Sequence, residues 1–212
     1  MKTKLLLGHK YLYESDSEKE LWYCGYIYFN NKQVLSNKNL GIFLLNVPID
    51  KLEKQLQNIN GNFSIIIKLK AKLIIVSDYI RSHPIFYLQN NNTVFISDKS
   101  EKLLQYNNKN SLDKKSSLEF NNTGYVTGEN TLIHNIKQTL SGQILYIKID
   151  SKSLICIDDS RYFIYYASKR SEGSKESLLK KLDSILMKTF TKIIEDVNEK
   201  TLVIPLSGGY DS

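Results

Sequence analysis

The sequence predicts an α/β protein in two unequal parts: an α+β region over residues 1–167 and, from residue 168, the first helix, strand and loop of a doubly wound α/β domain. Three observations predict it. Short runs of β-branched and aromatic residues, separated by Asn- and Lys-rich turns, fill the first part. The polar stretch Ser168–Ser174 then breaks that pattern. After it comes one long amphipathic run, followed by a short, wholly apolar strand of the kind buried in a parallel sheet. Hydrophobic residues make up 42% of the chain, enough for an ordinary core, which excludes wholesale disorder.

The elements read in order as follows. Met1-Lys2-Thr3-Lys4-Leu5-Leu6-Leu7-Gly8 has the outline of a signal peptide, but His9, Lys10 and Glu14 follow at once and the apolar stretch is far too short. Leu21–Phe29 reads as a strand closed by Asn30-Asn31. Asp50 is placed to cap a short helix presenting Leu52, Leu56 and Ile59 on one face. Asn62–Leu69 and Leu73–Ser77 are strands joined by Lys70-Ala71-Lys72, and Ile85–Leu88 and Thr93–Ser97 form a second hairpin about Asn90-Asn91-Asn92. A short helix over Lys99–Tyr106 and a third hairpin, Ile144–Ile149 with Leu154–Ile157, complete the first part.

The strongest helical signal spans Lys175–Asn198. Leu178, Leu182, Ile185, Leu186, Phe190, Ile193, Ile194 and Val197 recur at helical spacing and make one apolar stripe, which predicts a partner sheet. Ser174 is placed to cap this helix, and Glu176 suits its positive end. Thr201–Leu206 then reads as a buried strand leading into Ser207-Gly208-Gly209-Tyr210-Asp211-Ser212. An apolar strand followed by Ser-Gly-Gly-x-Asp-Ser is an arrangement for holding a phosphate chain. The glycines let backbone N–H groups approach an anion, the hydroxyls add donors, and a following helix would add its positive end. Asp211 would assist through a magnesium ion or by ordering the loop. This is not a Walker loop, because no Gly-Lys-Ser/Thr follows.

Composition narrows the remaining classes. The two cysteines, Cys24 and Cys156, are too few for a disulfide scaffold and have no metal-ligand spacing around them, so free thiols in a reducing compartment and no protein metal site are expected. No run approaches a membrane span, which points to a soluble, cytoplasmic protein without a membrane partner. The net charge of +7 and pI near 9.1 come from lysines scattered among acids and asparagines. With no zinc finger, RNP pattern or basic helix, no nucleic-acid partner is expected.

Leu206–Ser212 resembles the PP-loop of ATP pyrophosphatases in its asparagine-synthetase form. That resemblance implies cleavage of ATP to AMP and pyrophosphate through an acyl-adenylate that ammonia attacks. Ser207, Gly208, Gly209, Asp211 and Ser212 would line the pyrophosphate site, with ATP and Mg²⁺ as cofactors and no role for Tyr210. The residues before the loop agree. Gly61-Asn62-Phe63-Ser64 resembles the Gly-x-Phe-Ala/Ser strand of class II glutamine amidotransferase domains, and Ser77–Tyr87 resembles their Arg-Asp-x-x-Gly-x-x-Pro-Leu-Tyr segment. Phe95–Leu104 is similar to their Ala-Ser-Glu-x-Lys-x-Leu helix start. Gly124-Tyr125-Val126, Thr131-Leu132, Ile136 and Ser141-Gly142 match the Gly-Tyr-x-Pro, Thr-Leu-x-x-x-Ile and Pro-Gly-His region, and Tyr162 sits where a Tyr-Trp pair ends that domain.

The departures bear on chemistry. A class II glutaminase uses an N-terminal cysteine whose own α-amine serves as its base. Lys2 stands at that position, and Cys24 has no free α-amine. The Asn-Gly-Glu glutamine loop is absent. By resemblance Asp78 would hold an α-amino group in a vestigial glutamine site; read on its own, it is a satisfied loop carboxylate. His83 and His134 have no evident Cys, Ser or Asp partner and read as structural or exposed. No residue is therefore assigned as catalytic.

The family resemblance implies an αββα sandwich of the N-terminal-nucleophile type over 1–167, glutaminase-inactive, ahead of an incomplete synthetase domain over 168–212. One helix, one strand and a loop cannot bury a core of their own, so a fragment or the product of an interrupted gene is expected. The implied partners are a small carboxylate and ammonia, with a homodimer left open; the substrate pocket would lie downstream of Ser212. A ligase for another carboxylate, as in surface-polysaccharide or peptide-modifying clusters, and a non-catalytic interaction module are the alternatives.

Overall fold

A computed structural model of the chain describes residues 2–29, 33–149, 155–166 and 170–197, together with 201, 203, 208 and 209. The chain divides into two compact units, residues 1–165 and 166–212. The first unit runs β1 (Lys2–Leu6), β2 (Leu12–Ser15), β3 (Glu20–Phe29), β4 (Gln33–Ser36) and α1 (Asn37–Asn46). A 3-10 turn (Ile49–Lys51) leads into α2 (Leu52–Leu56), then β5 (Ile59–Lys68), β6 (Lys72–Ser77), β7 (Phe86–Asn90) and β8 (Thr93–Ser97). A 3-10 helix (Ser100–Tyr106), α3 (Lys114–Thr123), β9 (Lys137–Gln138), β10 (Gln143–Ile149) and β11 (Ile155–Arg161) complete it, and the second unit contains α4 (Lys175–Val197).

Two sheets form the first unit. The larger is antiparallel in the order β11-β10-β6-β5-β3-β2, with β4 also paired to β3. The smaller runs β1-β8-β7-β9, and β1 lies parallel to β8. Side chains alternate between the two faces of a strand, so one strand can serve two cores. In β5 and β6, Ile65, Ile67, Ile74 and Val76 face one way and pack with Leu40 and Leu44 of α1 and Leu52 and Leu56 of α2. Their neighbours Ile66, Leu73 and Ile75 face the other way and meet Tyr87, Val94 and Ile96 of the smaller sheet. The outer face of the smaller sheet buries Leu88 against Leu103 of the 3-10 helix and Ile136. The result is an α+β sandwich of four layers: helices, large sheet, small sheet, 3-10 helix. Its central strands are continuous apolar runs because both of their faces are covered. Each fully buried isoleucine there contributes about 1.5–3 kcal/mol.

Several expectations are corrected here. The start of the chain, where the sequence marks no element, is β1, paired residue for residue from Lys2↔Thr93 to Leu6↔Ser97. Asp50 does not cap a helix. Pro48, at φ −62, is the N-cap residue of the 3-10 turn, no side chain caps it, and Asp50 lies within the turn. Proline presets that entry, so a capping carboxylate is not needed. Ile59 leaves the helix face and opens β5. The short helix about Lys99–Tyr106 is a 3-10 helix starting at Ser100. The last strand extends to Arg161, and Leu154 lies outside the described residues.

In the second unit, α4 begins where Ser174 accepts a hydrogen bond from Ser177 N–H at 3.3 Å, and Glu176 lies in its first turn. Leu182, Ile185, Leu186, Phe190, Ile193 and Ile194 of the apolar stripe are exposed. The Thr201–Leu206 strand and the loop residues Ser207, Tyr210, Asp211 and Ser212 fall wholly or largely outside the described residues; Gly208 adopts φ 76.

Candidate functional site

Asp78 follows β6 directly and is fully buried. A buried carboxylate is tolerated only when donors replace the water it has lost. Here the backbone supplies them. Oδ2 accepts from Phe63 N–H at 3.0 Å and Oδ1 from Ile80 N–H at 2.9 Å. Ser82 N–H reaches both oxygens, at 3.0 and 3.2 Å. The main chain of Asp78 is engaged as well: its carbonyl accepts from Arg81 N–H at 3.2 Å and from Gly142 N–H at 2.8 Å.

Other segments lock this junction. Tyr162 is buried and donates its hydroxyl to the Ser77 carbonyl at 2.8 Å, while Ser77 Oγ donates to Thr139 Oγ1 at 2.8 Å. Gly142 accepts from Tyr162 N–H at 3.0 Å. Its φ of 60 is left-handed, and a Cβ there would stand 2.3 Å from the Phe163 carbonyl oxygen. Only glycine fits both the angle and the approach. The rings of Tyr79 and Phe163 stack at 4.0 Å beside it. The segments about residues 63, 78, 142 and 162 thus converge on one carboxylate, which the protein's own backbone saturates.

The thiol lies elsewhere. Cys24 sits in mid-strand, opposite Ser64 in the β3–β5 ladder, and is 3% exposed. Burial pushes its pKa up, with the Tyr11 hydroxyl and Lys10 pulling it back. Burial, with Cys24 beside it, also raises the Tyr11 phenol. The Tyr11 hydroxyl lies near both this thiol and the Ser64 hydroxyl, yet neither hydroxyl completes a well-aligned hydrogen bond. A buried, protonated thiol is inert, because the thiolate is the nucleophile. Its α-nitrogen is a peptide nitrogen, so the self-activating chemistry of an N-terminal cysteine is closed to it. Lys2 opens β1 opposite Thr93 and brings no sulfur. The side chain of Cys156 is outside the described residues.

The histidines divide. His134 has an acidic neighbour after all: Nδ1 lies 3.7 Å from Oδ2 of Asp113, whose other oxygen caps α3 by accepting from Ser116 N–H at 2.9 Å. That cap holds the Asp113 carboxyl below its ordinary range, with His134 adding to the effect. His83 is half-buried, and burial holds its imidazole below the ordinary value, Lys10 assisting and Asp78 opposing. Among the described residues no group of three or more His, Cys, Asp or Glu side chains is placed to hold a metal ion. No described helix is long and apolar enough to cross a membrane.

A family model for the glutamine amidotransferase domain matches residues 42–163, more than half of the chain. The chain belongs to this domain family. Among solved structures it is similar to glutamine phosphoribosylpyrophosphate amidotransferase from B. subtilis, complexed with ADP and GMP, at 10% identity and a TM-score of 0.39. It is likewise similar to a structure described as the allosteric regulatory enzyme of purine biosynthesis, at 11% identity and a TM-score of 0.37. Each alignment covers 73% of this chain but 31% of the other, so the chain spans under a third of those proteins. No curated protein matches the sequence.

The amidotransferase match contains every segment that meets at Asp78, whereas Lys2 and Cys24 precede it. Within the amidotransferase domain, resemblance alone leads to Asp78, Gly142 and Tyr162. It does not lead to Thr139, whose buried hydroxyl joins Ser77 to the backbone before β7 by accepting from Ile85 N–H at 3.4 Å. A threonine between Gln138 and Leu140 carries no sequence signal of that role.

Proposed function

We propose that this chain is the front of an asparagine-synthetase-like, ATP-dependent amide-forming ligase whose amidotransferase domain serves as a scaffold and does not hydrolyse glutamine. The observation that carries the inactive scaffold is the Cys24 thiol, which is buried, held protonated and in mid-strand, while the ligase half rests on the resemblance of Ser207–Ser212. The saturated carboxylate of Asp78 supports it, since an α-amino group would have to displace backbone donors to bind there. Nitrogen would then enter as ammonia, free or from a partner. In the second unit, Ser207, Gly208, Gly209, Asp211 and Ser212 would hold the pyrophosphate of ATP, with Mg²⁺. Gly208 supports this through its left-handed φ of 76, a conformation that glycine adopts freely in anion-holding loops. ATP supplies the adenylate that activates the carboxylate.

The loss of glutamine chemistry also favours a second reading, a ligase for a carboxylate other than aspartate. Two assays on the native protein test the proposal. With glutamine, no glutamate should form; glutamate production that disappears in Cys24→Ser would refute the inactive scaffold. With ATP, ammonia and a panel of carboxylates, pyrophosphate should be released and Asp211→Ala should abolish it. Dependence on aspartate separates the two readings, and release unaffected by Asp211→Ala would refute the loop assignment.

A further inference from the structure

Two of the three arginines in the chain line one cavity. Lysine supplies nearly all the positive charge: among 29 Lys and Arg residues, the arginines are Arg81, Arg161 and Arg170. Arg81, in the turn after β6, and Arg161, at the end of β11, come together around a cavity of about 380 Å³. Ser141 and Gln138 add polar groups to the wall, while Ile80 and Leu140 make it partly apolar.

No acid answers these charges. None of the ion pairs among the described residues involves Arg81 or Arg161, and no carboxylate lines the cavity. Arg81 Nη1 donates to the Thr139 carbonyl at 3.2 Å, and Arg161 Nη2 donates to Ser141 Oγ at 3.4 Å. Arg161 Nε is buried with no partner. The other N–H donors of both half-buried guanidinium forks have no protein partner among the described residues, and a buried donor such as Arg161 Nε is ordinarily paired. Burial lowers the Arg81 pKa, as expected of a desolvated cation without an anion. Arg81 also has φ 57; every other non-glycine residue with positive φ among those described is asparagine. A left-handed arginine is costly, and it stands where the Arg-Asp-x-x-Gly pattern carries glycine. Lysine would satisfy a need for charge alone, whereas arginine supplies a planar fork matched to the oxygens of phosphate.

We propose that Arg81 and Arg161 form a binding site for a small-molecule phosphate monoester, with Ser141 as a third donor and Ile80 and Leu140 against the organic part of the ester. Two cations without an acidic partner match a dianion, whereas a monocarboxylate would answer only one of them. The cavity is large enough for an ester rather than a bare ion. The site lies wholly within the first unit and does not depend on the ligase reading.

Calorimetric titration of the full chain with phenyl phosphate tests this. Saturable binding is expected, tightening as pH rises through about 6, where the ester gains its second charge. Affinity should fall by about tenfold or more in Arg81→Gln and in Arg161→Gln, each removing charge-assisted hydrogen bonds. In the wild-type chain, phenyl phosphate should protect Arg81 and Arg161, but not Arg170, from phenylglyoxal, as read by peptide mass spectrometry. That footprint decides the matter if a variant does not fold. The proposal is overturned by absent binding, by benzoate binding as tightly, by binding unchanged in both variants, or by unprotected arginines. Phosphate held only at the Ser207–Ser212 loop would leave both variants unchanged, and so would count against this site without touching the ligase reading.

Discussion

Asp78 and Arg81 share one turn, and their charges are treated in opposite ways. The carboxylate receives N–H groups from Phe63, Ile80 and Ser82, all supplied by nearby backbone. The guanidinium gives one hydrogen bond, to the Thr139 carbonyl, and otherwise opens on the cavity. A buried charge completed by its own fold does structural work, whereas one left incomplete bears its desolvation cost until a ligand arrives. The contrast can be broken by mutation. Asp78→Ala should cost about 3 kcal/mol or more, because it orphans three donors, one buried and two part-buried, at about 1–3 kcal/mol each. Arg81→Gln should change stability by no more than about 0.5 kcal/mol. Urea unfolding of both variants checks this, and a larger loss from Arg81→Gln would invert the comparison.

Smaller effects sharpen it. Gly142→Ala forces a Cβ toward the Phe163 carbonyl at a left-handed φ, and should cost about 2–4 kcal/mol by the same measurement. Tyr162→Phe removes one buried hydroxyl and leaves the Ser77 carbonyl unanswered, at a cost of about 1–2 kcal/mol. The smallest effect is one of pH. His83 titrates below its ordinary 6.5 in the folded chain, so the unfolded chain binds more protons in the window between the two values. Stability should fall as pH drops from 6.5 toward the folded pKa, and be level above 6.5. Thermal melts between neutral and acid pH should show that decline, and His83→Gln should flatten it.

Legibility in the sequence followed the range of the interactions involved. The runs Ile65–Ile67 in β5 and Leu73–Val76 in β6 announce themselves because both faces of the sheet are buried there, so every residue of the run is apolar. β1 is silent, since three leucines after Lys2 and Lys4 are too short a run to mark an element; its partner β8, far along the chain, makes it a strand. α1 carries Gly41 and several asparagines, a poor helical composition. It forms because Leu40 and Leu44 are buried against the large sheet. α3 has an Asp113 cap and a left-handed Gly124 end, but Leu118 and Phe120 are exposed, so no apolar periodicity marks it. At the site, the motif leads to Asp78 but is silent on which partners fill its acceptor sites. The arginine cavity had a signal of another kind: a chain that otherwise chooses lysine retains arginine at 81 and 161.

The parallel pairing of β1 with β8 has a consequence for how the protein is made. Lys2 finds its partner at Thr93, and β7 finds β9 only at Lys137. At ribosomal rates of about 5–20 residues per second, β1 emerges roughly 5–20 s before the strand it pairs with. The β5–β6 hairpin closes across a few residues in the meantime. During synthesis the large sheet therefore begins to assemble early and locally, while the leucines of β1 stay unsheltered until the small sheet closes. That interval is when a nascent chain most needs a chaperone, and a slower codon run before residue 93 would lengthen it.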